Sequence, residues 1–225
     1  MTRNRMKKEI IDTLNKMNGR YTLNELFFDA CKLMAITLRN TSSILHDETW
    51  EKLEKDYINT ITRYDKDMQR KFPELLACLV ELFERESFID HIGQIYMELF
   101  GGNKNLGQCF TPQSIADIIG DVTLKDRLKD TNPEELPIKI CDPACGGGAL
   151  LLGAMRTLHE DGFKYQQKAI FYATDLDPLC CYICYIQCSL SGARAYITNG
   201  DSLTQKEYWT WATPMEKLYP AILLR

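Results

Sequence analysis

The ten residues Cys141-Asp142-Pro143-Ala144-Cys145-Gly146-Gly147-Gly148-Ala149-Leu150 leave few folds open. A short β-rich run, Ile138 to Cys141, enters three consecutive glycines and leaves into an apolar helical segment beginning near Ala149. Glycines at such a turn let a ligand approach the backbone, and the helix N-terminus behind them offers unpaired amides, which together make a nucleotide-type site at the carboxyl edge of a parallel sheet. The phosphate-binding P-loop is excluded because no Gly-Lys-Ser/Thr follows. The dinucleotide fingerprint is only partly met, since Gly146 and Gly148 fit but Leu151 stands at the third glycine position.

The rest of the chain is organised around that turn. After Gly102, short apolar runs alternate with helical ones, the pattern of a parallel sheet with crossover helices. The strands are expected at Ile138 to Cys141, Ala169 to Thr174, Ala195 to Thr198 and Ala221 to Leu224, with helices beginning near Pro112, Ala149 and Pro178 and Gly192 ending the last of them. Residues 1–102 read instead as helices. The first runs from about Asn4 to Met17, and Thr22-Leu23-Asn24-Glu25 is a capping box that opens a second, with apolar residues at Leu23, Leu26, Phe27, Ala30, Leu33 and Met34. A polar stretch from Asp47 to Arg70 is expected to be an exposed helix. Leu75, Leu79 and Phe83, then Ile92, Ile95 and Leu99, mark two further buried faces before Gly101-Gly102. Two domains are therefore expected, 1–102 helical and 103–225 α/β.

Composition narrows the function classes. With 45% apolar residues in 225 the chain can fill a real core, and no apolar run approaches the ~18 residues needed to cross a bilayer. Nine cysteines without the spacing of a secreted disulfide scaffold read as reduced thiols, which places the protein in the cytoplasm and off the membrane. A net charge of −4 argues against a chain that coats nucleic acid unaided. The basic start, with Arg3, Arg5, Lys7, Lys8, Lys16 and Arg20, is the best candidate polyanion contact, although a solvated helix face accounts for it more simply.

Two carboxylates extend the glycine turn. Asp175, in Thr174-Asp175-Leu176-Asp177-Pro178, follows the second strand, where an acid can accept both hydroxyls of a ribose. Asp201, in Asn199-Gly200-Asp201-Ser202, follows the third and can receive an adenine amino group. The glycine turn by itself leaves a nicotinamide dinucleotide and S-adenosylmethionine equally open. The whole set, Gln108-Cys109-Phe110-Thr111-Pro112, Asp142-Pro143-Ala144-Cys145-Gly146-Gly147-Gly148, Asp175-Leu176-Asp177 and Asn199-Gly200-Asp201-Ser202, resembles the N6-adenine DNA methylase family, and within it the modification subunits of type I restriction systems. The resemblance is specific over residues 105–202 and architectural before them.

It implies a Rossmann-like, S-adenosylmethionine-dependent methyltransferase fold behind a helical N-terminal domain. In that family the Phe-Thr-Pro element and the glycine turn bind the methionine part of the cofactor, implying Phe110, Thr111, Pro112, Asp142, Ala144, Gly146 and Gly148. Asp175 is then the ribose ligand, Leu176 packs on the adenine ring and Asp201 accepts from its amino group. Gly147 departs from the Thr or Ser usual in the family, which loosens the turn without removing it. DNA is the implied substrate, bound with help from another subunit or domain, and the helical region is the implied protein contact.

The family's catalytic Asn/Asp-Pro-Pro-Tyr/Phe tetrapeptide, whose polar oxygens accept from adenine N6 while the aromatic ring stacks on a flipped-out base, does not occur in these residues. Tyr219 to Arg225 reads as the fourth strand that would precede it, so the fold is expected to be incomplete at its C-terminus and no catalytic residue is assigned. A methyltransferase domain is the leading expectation. A non-catalytic cofactor-binding module and, more weakly, a nicotinamide-dependent oxidoreductase are its rivals. Cys180, Cys181, Cys184 and Cys188 could suggest a metal site, but the last three share one face of a helix with Tyr185 and are expected as core. Trp209 and Trp211 are expected to pack beside a loop before the last strand.

Overall fold

The computed structural model describes residues 3–101, 111–129 and 137–223. Five helices come first: α1 (Arg3–Met17), α2 (Leu23–Thr41), α3 (Glu48–Ile61), α4 (Lys66–Arg85) and α5 (His91–Phe100). Helix α6 (Gln113–Lys129) leads into the sheet, which alternates β1 (Ile138–Asp142), α7 (Ala149–Glu160), the short α8 (Tyr165–Lys168), β2 (Ala169–Asp175), α9 (Pro178–Leu190), β3 (Ala195–Asp201) and β4 (Lys206–Ala212), and α10 (Pro214–Leu223) follows.

The capping chemistry read from the sequence is present. Thr22 accepts from the Glu25 amide and the Glu25 side chain accepts from the Thr22 amide. The polar stretch 47–70 is two helices rather than one. Asp47 and Asp65 each accept backbone amides of the turn that follows them, so the chain restarts a helix at 66 after breaking at 62–65. Lys7 is 8% exposed and hydrogen-bonded to Gln94, so it faces inward and does not belong to the basic surface of α1.

The sheet has the order β1-β2-β3-β4 among the described residues, parallel through β3 and antiparallel at β4. The three parallel strands fall where the apolar runs put them. Their registers, Asp142 beside Ala173 and Asp175 beside Asn199, set the carboxyl ends of β1, β2 and β3 along one edge.

The fourth expected strand is corrected. Residues up to Leu223 of the Ala221–Leu224 run lie in α10, and the remaining strand is Lys206–Ala212, which carries Trp209 and Trp211 on the sheet instead of beside a loop. Tryptophan packing there is as expected: the two rings stack at 4.3 Å and Trp209 stacks on Tyr182 of α9. Thr213 explains the switch of direction. It is fully buried, its amide donates to the Ala195 carbonyl and its hydroxyl to the Ala193 carbonyl, and Pro214 then starts the helix.

Helix α9 packs against β2 and β3 and against α2, and the apolar core runs unbroken from the N-terminal helices into the sheet layer. Cys181, Cys184, Tyr185 and Cys188 are fully buried in it, as the helix periodicity required. Helix α6 lies along α7 at very short range: a Cβ on Gly153 would stand 2.4 Å from the Ala116 carbonyl oxygen, so the two backbones touch where Gly120 and Gly153 face. Arg156 locks the pair with Asp117 at 3.1 Å and Asp121 at 2.9 Å. No helix among the described residues is long and apolar enough to cross a membrane.

Candidate functional site

A cleft of about 450 Å³ opens at the carboxyl ends of β1 and β2. Its floor is the glycine turn. Gly146 (φ +51) and Gly148 (φ +89) have left-handed backbones that side chains disfavour, and a Cβ on Gly146 would meet nothing within 4 Å. Gly148 is the N-cap of α7, so that helix starts directly behind the turn.

Asp175, at the end of β2, fastens the turn to the sheet. One carboxylate oxygen accepts from the Gly146 amide at 2.8 Å and the other from the Asp177 amide at 2.9 Å. An ionised carboxylate oxygen accepts more than one hydrogen bond, so both oxygens keep capacity for a ligand hydroxyl. Asp177 in turn caps α9 by accepting from the Leu179 amide at 2.8 Å.

Asp142, at the end of β1, accepts from the Ala144 amide at 3.2 Å, while its Oδ2 is buried with no hydrogen-bond partner among the described residues. Burial pushes its carboxyl pKa up, with the neighbouring Asp175 charge adding to the rise and the Ala144 amide opposing it. A buried orphan acceptor beside an open cleft suits a ligand that brings a cation or a donor.

Of the residues singled out by sequence, Thr111, Ala144, Gly146, Asp175 and Leu176 line the cleft together. Pro112 and Gly148 lie next to lining residues in the chain, and Asp142 two residues before Ala144, without being part of the lining themselves. Phe110 lies outside the described residues. Asp201 is not in the lining either. Its Oδ1 accepts from the Leu203 amide at 2.9 Å and the Thr204 amide at 3.3 Å, which closes the β3–β4 turn, and the Thr204 side chain first, then these two amides, hold its pKa down. That turn is tied back to the site by a hydrogen bond from the Ser202 hydroxyl to the Pro143 carbonyl.

Cys145, Gly147, Ala149, Leu150 and Asp177, which the motifs contain but to which no cofactor contact was assigned, complete the wall with Cys180. Asp177 had a signal, being the N-cap before Pro178. The Cys180 thiol is pushed far up in pKa, first by burial and then by the charges of Asp175 and Asp177, so it serves the cleft as an apolar surface rather than as a nucleophile. The cleft thus pairs backbone amides and two carboxylates with an apolar flank. That combination suits a ligand with a ribose, a cationic or amino group and a flat apolar ring.

A class I S-adenosylmethionine-dependent methyltransferase assignment accompanies a solved structure from Listeria monocytogenes that superposes with a TM-score of 0.52 at 15% identity, covering 89% of this chain and 55% of that one. The type I restriction-modification system methyltransferase subunit from Streptococcus thermophilus matches with a TM-score of 0.45 at 14% identity, covering 91% of this chain and 60% of that one. The chain therefore spans a little over half the length of these two structures. No curated protein matches it. Residues 87–218, more than half of the chain, match the N-6 DNA Methylase family, and they include the cleft, the three aligned strand ends and the turn after β3. The chain belongs to the N-6 DNA methylase family.

Proposed function

We propose that this chain is the S-adenosylmethionine-binding part of a DNA adenine N6-methyltransferase of the restriction-modification type. The observation that carries the reading is the Asp175 carboxylate held 2.8 Å from the Gly146 amide across the cleft floor, which brings a ribose acceptor and a glycine turn into one site. The bound donor would supply an electrophilic methyl group on its sulfonium.

This chain's residues bind and orient that donor. Thr111, with Phe110 and Pro112 beside it, and Ala144, Gly146 and Gly148 take the methionine part, with the Asp142 carboxylate facing its charged end. Asp175 accepts from the ribose hydroxyls. Leu176, 62% exposed at the cleft mouth, offers an apolar surface to the adenine ring, and exposure of that size costs an unliganded protein apolar contact with water. Asp201, at the end of the next strand, is the acceptor for the adenine amino group.

Residues 103–225 form the cofactor unit in this reading and residues 1–102 the helical unit that contacts a protein partner. These 225 residues contain no Asn/Asp-Pro-Pro-Tyr/Phe sequence, so the groups that accept the hydrogens of the target N6 are assigned to no residue here. DNA is held jointly with another subunit or domain, which agrees with a net charge of −4.

The test of substrate and product is transfer of a labelled methyl group to duplex DNA by the chain together with the other components of its system. Label recovered as N6-methyladenine is the expected result. Label recovered only in cytosine, or only in protein, would overturn the assignment of adenine in DNA.

A further inference from the structure

Gln187 sits near the C-terminal end of α9, fully buried, on the helix whose first turn gives Cys180 to the cleft wall. Its amide nitrogen donates to the Gly147 carbonyl at 2.7 Å and to Asp90 Oδ1 at 2.9 Å, and its amide oxygen faces the Ile92 amide at 3.4 Å. Two acceptors on one terminal atom fix the orientation of the amide, because a flipped group would set oxygen against a carbonyl and a carboxylate.

The peptide plane between Gly147 and Gly148 is thereby held from both sides. Its carbonyl goes to Gln187 and its N–H to the Cys145 carbonyl at 2.8 Å. A planar peptide fixed at both ends constrains ψ of Gly147 and φ of Gly148, and Gly148 has one of the turn's two positive φ values.

Asp90 anchors the other end. It is 2% exposed, caps α5 by accepting from the Gly93 amide at 2.8 Å, and its own amide donates to Gln113 Oε1 at 2.9 Å. Gln113 opens α6 just after Thr111 and Pro112, and it also donates to the Phe88 carbonyl and to Asp117. Residue 90 is thus joined through Gln187 to the glycine turn and through Gln113 to the segment that supplies Thr111. The residues matched to the family begin at 87, directly before this junction.

We infer that Gln187 is a positioning residue for the cleft, holding the Gly146–Gly148 turn in its ligand-ready shape against an anchor, Asp90, supplied by the N-terminal helical region. Removing the amide strands the buried Gly147 carbonyl and takes from Asp90 one of its two amide donors, so the turn gains freedom that ligand binding must then remove. By reciprocity, a ligand in the cleft tightens the docking of α5.

The affinity readout rests on the methyl-donor reading of the cleft, and the test separates the two. Full-length Gln187→Met, close in volume and without the hydrogen bonds, is compared with wild type in two measurements well below the unfolding temperature. Amide exchange at residues 145–149 without ligand is expected to speed up by about tenfold, and the Kd for S-adenosylmethionine to rise by about tenfold.

Gly93→Ala perturbs the bridge from the α5 side, because its Cβ would stand 2.1 Å from Asp90 Oδ2, and it is expected to move both readouts in the same direction. Asp90→Asn, whose oxygen can still accept from Gln187 and Gly93, is expected to leave both at the wild-type values. Exchange and Kd that stay at the wild-type values in both Gln187→Met and Gly93→Ala, with only the melting temperature lowered, would overturn the inference. Wild-type protein that takes up no S-adenosylmethionine would remove the reading of the cleft, and ligand-free exchange would then decide the bridge by itself.

Discussion

Gly148 and Cys184 meet so closely that a Cβ at position 148 would lie 2.9 Å from the Cys184 sulfur. The start of α7 is therefore pressed onto α9, and the glycine is required twice, by this contact and by φ +89. Gly148→Ala is expected to cost about 2–4 kcal/mol, the sum of a left-handed alanine and an overpacked contact. Gly146→Ala has open space before it and φ +51, so it is expected to cost only about 1 kcal/mol. Urea denaturation of the two variants checks the difference, and equal losses would mean that the contact with Cys184 contributes nothing.

Asp175 holds the glycine turn as well as facing the cleft, so its removal has two separable consequences. Asp175→Ala leaves the Gly146 and Asp177 amides without their acceptor and is expected to lower stability by about 1–3 kcal/mol. Asp175→Asn keeps an oxygen for one of those amides and is expected to lose less stability. Both are expected to lose methyl-donor affinity by about tenfold or more, because a charge-assisted bond to the ribose is gone in each. Thermal melts and ligand titrations on the same preparations separate the two effects.

The glycine turn, the three parallel strands and the helices starting at 149 and 178 were legible because each has a local signal strong enough to act alone: three glycines, β-rich apolar runs, and an Asp-Pro N-cap. The end of the chain was not. Tyr219-Pro220-Ala221-Ile222-Leu223 is apolar enough for a strand, but Pro214 and Glu216 open a helix that runs to Leu223. The strand at Lys206–Ala212 carried a period-2 pattern, Trp209 and Trp211 against Tyr208 and Thr210, and only Trp211 is buried. The site was half legible. Motif residues Thr111, Ala144, Gly146, Asp175 and Leu176 converge, whereas the anchor at Asp90 and Gln187 depends on two residues far apart in sequence and announced by no motif.

Helix α6 meets α7 backbone to backbone at Gly120 and Gly153. Gly153→Ala would place a methyl 2.4 Å from the Ala116 carbonyl oxygen and force the two helices apart. The expected loss is about 1–3 kcal/mol. Because α6 follows Thr111, ligand affinity should fall along with stability. An alanine variant with wild-type melting temperature would show that the helices separate freely.

Lys217 of α10 donates to the Arg39 carbonyl at 2.7 Å and faces the Ser42 and Ser43 hydroxyls, joining the last helix to the end of α2. Burial lowers its pKa from 10.5 to about 8, with the Arg39 charge adding to the fall and Asp47 opposing it. Between those two values the unfolded chain holds a proton that the folded one has released, so this group adds stability as pH rises from about 8 to about 10.5. The stability difference between wild type and Lys217→Met is expected to shift in favour of wild type across that window and to stay flat below it. A difference independent of pH would contradict the account of Lys217.

The most direct test of the central claim is calorimetric titration of the full chain with S-adenosylmethionine, with NADH as the parallel ligand. Saturable binding of one methyl donor per chain, with no heat from NADH, is the expected result. Binding of NADH without any response to the methyl donor or its demethylated product would contradict the assignment of the cleft.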